Sequence, residues 1–278
     1  MQNRYVGDVG DFLKYGLLNF LFQNQSASPK FKLGVNWYLV PDEKNKADGK
    51  YTDYLKPENR FSKKENRFSK KLQECNPKLY RQMNEIVFVK KKRNIAEIEK
   101  GNVLPQGTIF YSELIGYDDM SRKAWHQAAL EKLEKADVVF LDPDNSIETM
   151  KMYSAGKISP KHALFEEIGD YYEREQSVII YNHKNRQKEE IYQERFKELR
   201  RKLESATGKA TPIYILRAHR YTVRDFIFLV QRKHKKRMDK LISSFMTTGW
   251  KEHLTLLPLD AFLLKLLHNT SGPGVTDT

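Results

Sequence analysis

The chain has 278 residues, 40% of them hydrophobic and 12% aromatic, with a formal charge of +13. That is enough apolar material for one large domain with its own core, which excludes wholesale disorder, and no run reaches the roughly 18 apolar residues of a membrane span. A single cysteine, Cys75, excludes an internal disulfide and a Cys-rich zinc site; the opening MQNRYVGDVGDF carries no apolar signal segment, so a cytoplasmic protein is expected.

The first element is a helix over Asp11 to Phe22, with Phe12, Leu13, Tyr15, Leu17, Leu18 and Leu21 at helical spacing and Asp11 as its N-cap. Leu33 to Val40, LGVNWYLV, reads as a first strand closed by Pro41. The stretch ENRFSKK then occurs twice in succession, at 58–64 and 65–71. Seven residues is close to two helical turns, so Phe61, Phe68, Leu72 and Cys75 share one face of a basic amphipathic helix lengthened by duplication. Residues 55–105 are expected to form a helical insertion. Glu85 to Val89 and Thr108 to Tyr111 read as short strands, and Ser121 to Lys135 as a helix with Trp125, Ala129 and Leu133 four residues apart.

Val138 to Leu141 is a strand that runs straight into Asp142-Pro143-Asp144-Asn145. Leu164 to Arg174 follows as a helix, Ser177 to Tyr181 as a buried strand, and Gln187 to Ser205 as a long helix ended by Gly208. Pro212 to Leu216 and Asp225 to Val230 are strands with no helix between them, so they pair antiparallel. Alternating strands and helices followed by that pair imply an α/β domain over 1–237. Its sheet is Rossmann-like, mostly parallel and seven-stranded, with helices on both faces. From 238 to 278 a helical extension with a frayed tail is expected.

Charge is unevenly spread. Tyr181 to Arg237 holds 17 Lys and Arg against 6 Asp and Glu, whereas Asp137 to Glu175 holds 4 against 9. A basic segment beside an acidic motif points to a phosphate-backbone partner, DNA or RNA, with Arg186, Arg217, Arg220 and Arg224 as the contacts. Two acids at the carboxyl end of a strand sit where open α/β sheets bind ligands. Taken alone, Asp-Pro-Asp-Asn is also a turn-forming sequence.

The order of elements resembles class I S-adenosylmethionine-dependent methyltransferases, whose seven-stranded sheet ends in an antiparallel pair. Asp142-Pro143-Asp144-Asn145 falls where the adenine amino methyltransferases of DNA and RNA carry Asp/Asn-Pro-Pro-Tyr/Phe. The stretch GDVGDFLKYGLL, residues 7–18, is similar to the opening of the large-subunit ribosomal RNA adenine methyltransferases. The resemblance implies that Asp142 takes the adenine amino group, with Pro143 holding the turn, and that Asn145 stands at the stacking aromatic's place. It also implies cofactor contacts from Lys14, Asp42, Glu43, Asp48, Gly49 and Glu113. The sequence departs from the family in having no Gly-x-Gly after the first strand, and Asp144 in place of Pro.

Two other chemistries remain open at the same residues. Asp142, Asp144 and Glu148 are hard oxygen ligands suited to Mg2+; with His183 as general acid or base and Arg186 as phosphate clamp they would describe a metal-dependent nuclease or phosphodiesterase. The third reading is a non-catalytic nucleic-acid-binding module on the same fold.

Overall fold

The computed structural model describes residues 1–23, 30–44, 49–56, 63–148, 159–184, 186–220 and 222–257, with side chains from 67 onward in the helix that begins at 63. The strands are β1 (Leu33–Asn36), β2 (Ile109–Tyr111), β3 (Val138–Leu141), β4 (Ser146–Ile147), β5 (His162–Ala163), β6 (Ser177–His183), β7 (Ile213–Ala218), β8 (Arg224–Leu229) and β9 (Leu254–Leu257). The helices are α1 (Val9–Gln23), α2 (Lys63–Cys75), α3 (Pro77–Asn84), α4 (Ile95–Lys100), α5 (Asp119–Lys132), α6 (Phe165–Glu173), α7 (Glu189–Thr207) and α8 (Arg232–Met246).

Seven strands form one mixed sheet in the order β2-β1-β3-β6-β8-β7-β9, and β4 and β5 form a small parallel pair. β2, β1, β3 and β6 are parallel, β8 runs antiparallel to both β6 and β7, and β9 is antiparallel to β7. Every residue of β1 and β3 is buried, as expected of parallel strands covered on both faces. Alternate residues feed two cores. Val138, Phe140, Ile179 and Tyr181 pack with α1, α3 and α8, while Val139, Leu141, Val178 and Ile180 pack with α5, α6 and α7. Asn36 lies opposite Leu141, and Leu141 opposite Ile180, so the chain leaves β1, β3 and β6 along one sheet edge.

Several boundaries differ from the sequence expectation, each for a local reason. β1 stops at Asn36 because Tyr38 takes a positive φ of 46°, and Leu39 keeps only an isolated bridge to Leu114. Glu85–Val89 is not a strand: it continues α3 as a wide π-type turn, with Ile86 and Val87 buried. Short β-branched runs do not distinguish strand from buried helix by periodicity alone. α8 starts at Arg232 and runs across position 237, and the segment after it adds β9 to the sheet beyond β7. The antiparallel pair β7/β8 is therefore internal. Phe61 of the first ENRFSKK copy, and residues 258–278, lie outside the described residues; Phe68 of the second copy packs edge-on against His253, and Leu72, directly after it, is buried.

α1 is held close to the chain's last described turn. A Cβ on Gly16 would lie 2.2 Å from Cη2 of Trp250, an indole that stacks on Phe245. Helix propensity favours Ala at such a position by about 0.5–1 kcal/mol, but overpacking a rigid ring costs about 1–3 kcal/mol. Gly16→Ala is expected to lower unfolding free energy by about 1–2 kcal/mol in urea titrations; a stabilised variant would mean this contact is loose.

Candidate functional site

The site begins with the way α1 is started. Asp8 caps it, accepting the Gly10 N–H at 3.0 Å with one carboxylate oxygen and the Tyr51 N–H at 3.1 Å with the other. Asp11 is therefore not the N-cap; it sits in the first turn, buried. Gly10 has no side chain to spare, since a Cβ there would lie 2.5 Å from the Tyr181 hydroxyl. That close approach brings the first turns of α1 against the ends of β3 and β6.

Lys14, one turn on, is 1% exposed. Its Nζ donates to Asp142 Oδ2 at 2.7 Å and to Asp11 Oδ1 at 2.9 Å, and it stands 4.6 Å from the centre of the Tyr181 ring. Burial alone pushes Lys14 towards the neutral amine, but Asp11 and Asp142 outweigh it and keep the ammonium protonated. Burial raises the Asp11 and Asp142 carboxyls, an effect Lys14 offsets only in part. The Tyr181 phenol is pushed up to about 12, chiefly by burial.

The rest of the motif is tied down by the first residues of the chain. The Met1 nitrogen donates to Tyr38 O at 2.9 Å and Asp142 O at 3.1 Å, which laces the turns after β1 and β3 together. Gln2, fully buried, donates to Asp144 Oδ2 at 2.9 Å and accepts the Glu43 N–H at 3.0 Å. Lys161 bridges Glu43 at 2.5 Å and Asp144 at 3.2 Å. Asn145 O accepts the main-chain N–H of His183 at 2.9 Å. Asp11 also acts on the buried Tyr15 hydroxyl, while Asp144 Oδ1 is buried with no hydrogen-bond partner among the described residues.

Met1, Asp11, Lys14, Asp142, Asp144 and Lys161 line a cavity of about 500 Å³. Of the residues singled out from sequence, Lys14, Glu43, Gly49, Asp142, Pro143, Asp144, Asn145, His183 and Arg224 meet there. Burial, with Arg224 and Lys14 adding to it, drives the His183 imidazole well below its ordinary pKa, so it is neutral at pH 7. Arg224 is half-buried on the wall and donates to Val223 O at 3.2 Å.

The remaining candidates lie elsewhere. Asp42 is exposed and accepts the Arg4 N–H, and Asp48 is outside the described residues. Glu113 is exposed beside a separate open groove along β2, not in this cavity. Glu148 is turned away by β4 and accepts the Phe165 N–H at 2.7 Å, satisfying a donor at the start of α6. It does not join Asp142 and Asp144. Among the described residues no group of three His, Cys, Asp or Glu side chains is placed to hold a metal ion, so the alternative Mg2+ set of Asp142, Asp144 and Glu148 is not brought together. Arg217 is not a phosphate contact: it is consumed by a two-pronged ion pair with Asp225, both bonds 2.7 Å, and by Glu189 at 2.9 Å. Arg220 lies 4.2 Å over the Phe68 ring, and Arg186 is exposed in the turn before α7.

Sequence reasoning missed Asp8, Gln2, Lys161 and Tyr181. It also gave Asp11 the wrong task, although a signal was present. In DFLKYGLL a lysine stands three residues after an aspartate in an otherwise apolar helix, the spacing at which two side chains share a face.

The sequence matches no protein-family model, and no curated protein is significantly similar to it. No helix among the described residues is long and apolar enough to cross a membrane.

Proposed function

We propose that this protein is an S-adenosylmethionine-dependent methyltransferase-like enzyme acting on nucleic acid, with an adenine amino group as its target. One observation carries the reading. The two short patches that resemble adenine methyltransferases, 128 positions apart at Lys14 and Asp142, close on each other in a 2.7 Å ion pair on the wall of one cavity.

The residues present suit the cofactor. The cavity volume falls within the roughly 300–1,000 Å³ of small-molecule sites, and Asp11, Glu43 and Asp144 put carboxylate acceptors on its wall. An amino-acid ammonium or ribose hydroxyls would satisfy them. Glu43 and Gly49 lie at the same cavity, where Gly49, at a positive φ of 75°, packs its backbone against Tyr5. When bound, S-adenosylmethionine supplies an electrophilic methyl group on sulfonium sulfur.

The chain's own work is positioning and charge. An adenine amino nitrogen is a poor nucleophile because its lone pair is delocalised into the ring. The Asp142 carboxylate and a backbone carbonyl of the Pro143 turn would accept its two hydrogens and favour the tetrahedral form. Lys14 favours the ionised form of Asp142 against the effect of burial and fixes its direction. Arg224, at the same cavity, is the guanidinium available to a phosphate of the extruded nucleotide.

Calorimetry with S-adenosylmethionine and S-adenosylhomocysteine tests the reading: saturable heat is expected, and none at millimolar ligand with folded protein would remove it. Asp142→Ala is expected to lower methyl incorporation into adenine at least about 100-fold; unaltered incorporation would take the chemistry away from this residue.

A further inference from the structure

His183 ends β6 directly beside the motif, joined to Asn145 through the main chain at 2.9 Å. Its ring stands at 90° to Tyr181, centroids 6.0 Å apart, and lines the cavity. An imidazole that moves protons is held by a partner on its second nitrogen. Among the described residues no side chain hydrogen-bonds this ring, and the charged groups that act on it most, Arg224 and Lys14, are cations. What His183 offers is a flat, uncharged aromatic surface opposite a wall of acceptors. The other aromatics at the cavity each have a cation over the ring. Tyr181 has Lys14 over its face and Phe226 at 5.2 Å, Tyr5 has Arg4 at 5.0 Å, and Tyr51 has Lys50 at 5.8 Å.

A base drawn out of its stack is gripped by hydrogen bonds along its edge and by an aromatic face against its plane. We propose that His183 is the base-binding platform of this cavity, its imidazole stacking on the heterocycle whose amino group Asp142 accepts. This rests on the function proposed above, and it names the residue that holds the ring in place of the aromatic missing at Asn145.

The test is an NMR titration of adenosine into the full chain and into His183→Ala and His183→Phe, repeated with excess S-adenosylhomocysteine to keep the nucleoside out of the cofactor's place. Wild type is expected to shift the adenosine H2 and H8 resonances upfield. His183→Ala should bind about tenfold more weakly and lose the shift. His183→Phe should keep affinity within about threefold and retain the shift, which a merely structural histidine or one acting through its nitrogens would not do. Unchanged binding by His183→Ala, equal loss in both variants, or a signal abolished by S-adenosylhomocysteine each overturns the proposal alone. Wild type that binds no adenosine at millimolar concentration removes the proposal and the adenine reading together, whereas cofactor heat without nucleoside binding leaves only the cofactor assignment standing.

Discussion

Lys14→Met is expected to cost about 3–5 kcal/mol of stability at pH 7, the range for breaking a buried ion pair by removing one partner. Met keeps the length of the side chain and removes its charge, so the buried carboxylates of Asp11 and Asp142 are left without their cation. Against a total stability of about 5–15 kcal/mol, such a loss is large. Its pH dependence identifies the cause. Both carboxyls are already raised by burial, and without Lys14 they rise further above their unfolded values. An acid raised by folding destabilises when the pH is above its folded pKa, and the penalty disappears once both states are protonated. The gap between variant and wild type should therefore narrow as pH falls from 7 towards the ordinary carboxylate range near 4. Urea titrations at several pH values measure this, and a gap constant with pH would place the loss in packing instead. Asp11→Asn with Asp142→Asn in the Lys14→Met background should restore most of the stability, because a neutral buried cluster needs no counter-charge.

Arg217→Met should be comparably destabilising, by about 3–5 kcal/mol, yet leave nucleic-acid affinity of the folded protein unchanged. Arg217 is 7% exposed and its partner Asp225 is 0% exposed, so the variant strands a carboxylate inside the sheet between β7 and β8. Arg224→Met should do the reverse. Its stability stays near wild type, while the salt dependence of binding to a labelled oligonucleotide loses about one unit of slope in a log–log plot, as for one phosphate contact. Fluorescence anisotropy across a salt series separates the two. If Arg217→Met flattened the slope and Arg224→Met did not, the division between structural and ligand-facing arginines would be reversed.

The architecture was legible because the sheet's parallel strands are unbroken apolar runs and the helices carry a 3.6-residue stripe; VVFL, SVIIY and the Tyr192–Leu203 face need no tertiary information. β9 was not, because LTLL follows a helix and becomes a strand only through pairing with β7. In the site, Asp142 to Asn145 announced themselves by breaking an apolar strand with two acids. Gln2 and Lys161 did not, since a polar residue near a chain end or in a turn reads as solvated until the fold buries it. The four arginines show the same limit: composition placed positive charge in the right segment, but Asp225 and Glu189, which neutralise Arg217, sit in that segment too.

The insertion of β8 between β6 and β7 has a consequence for synthesis. β6 and β7 are separated by α7 and are never neighbours, so during translation the edge of β6 stays open until residues 224–229 have emerged and slid into the gap. Pairings of such long sequence separation close slowly. A nascent chain stopped before 224 presents one open edge of β6, whose other edge pairs with β3, as a template for aggregation, and the sheet is completed late.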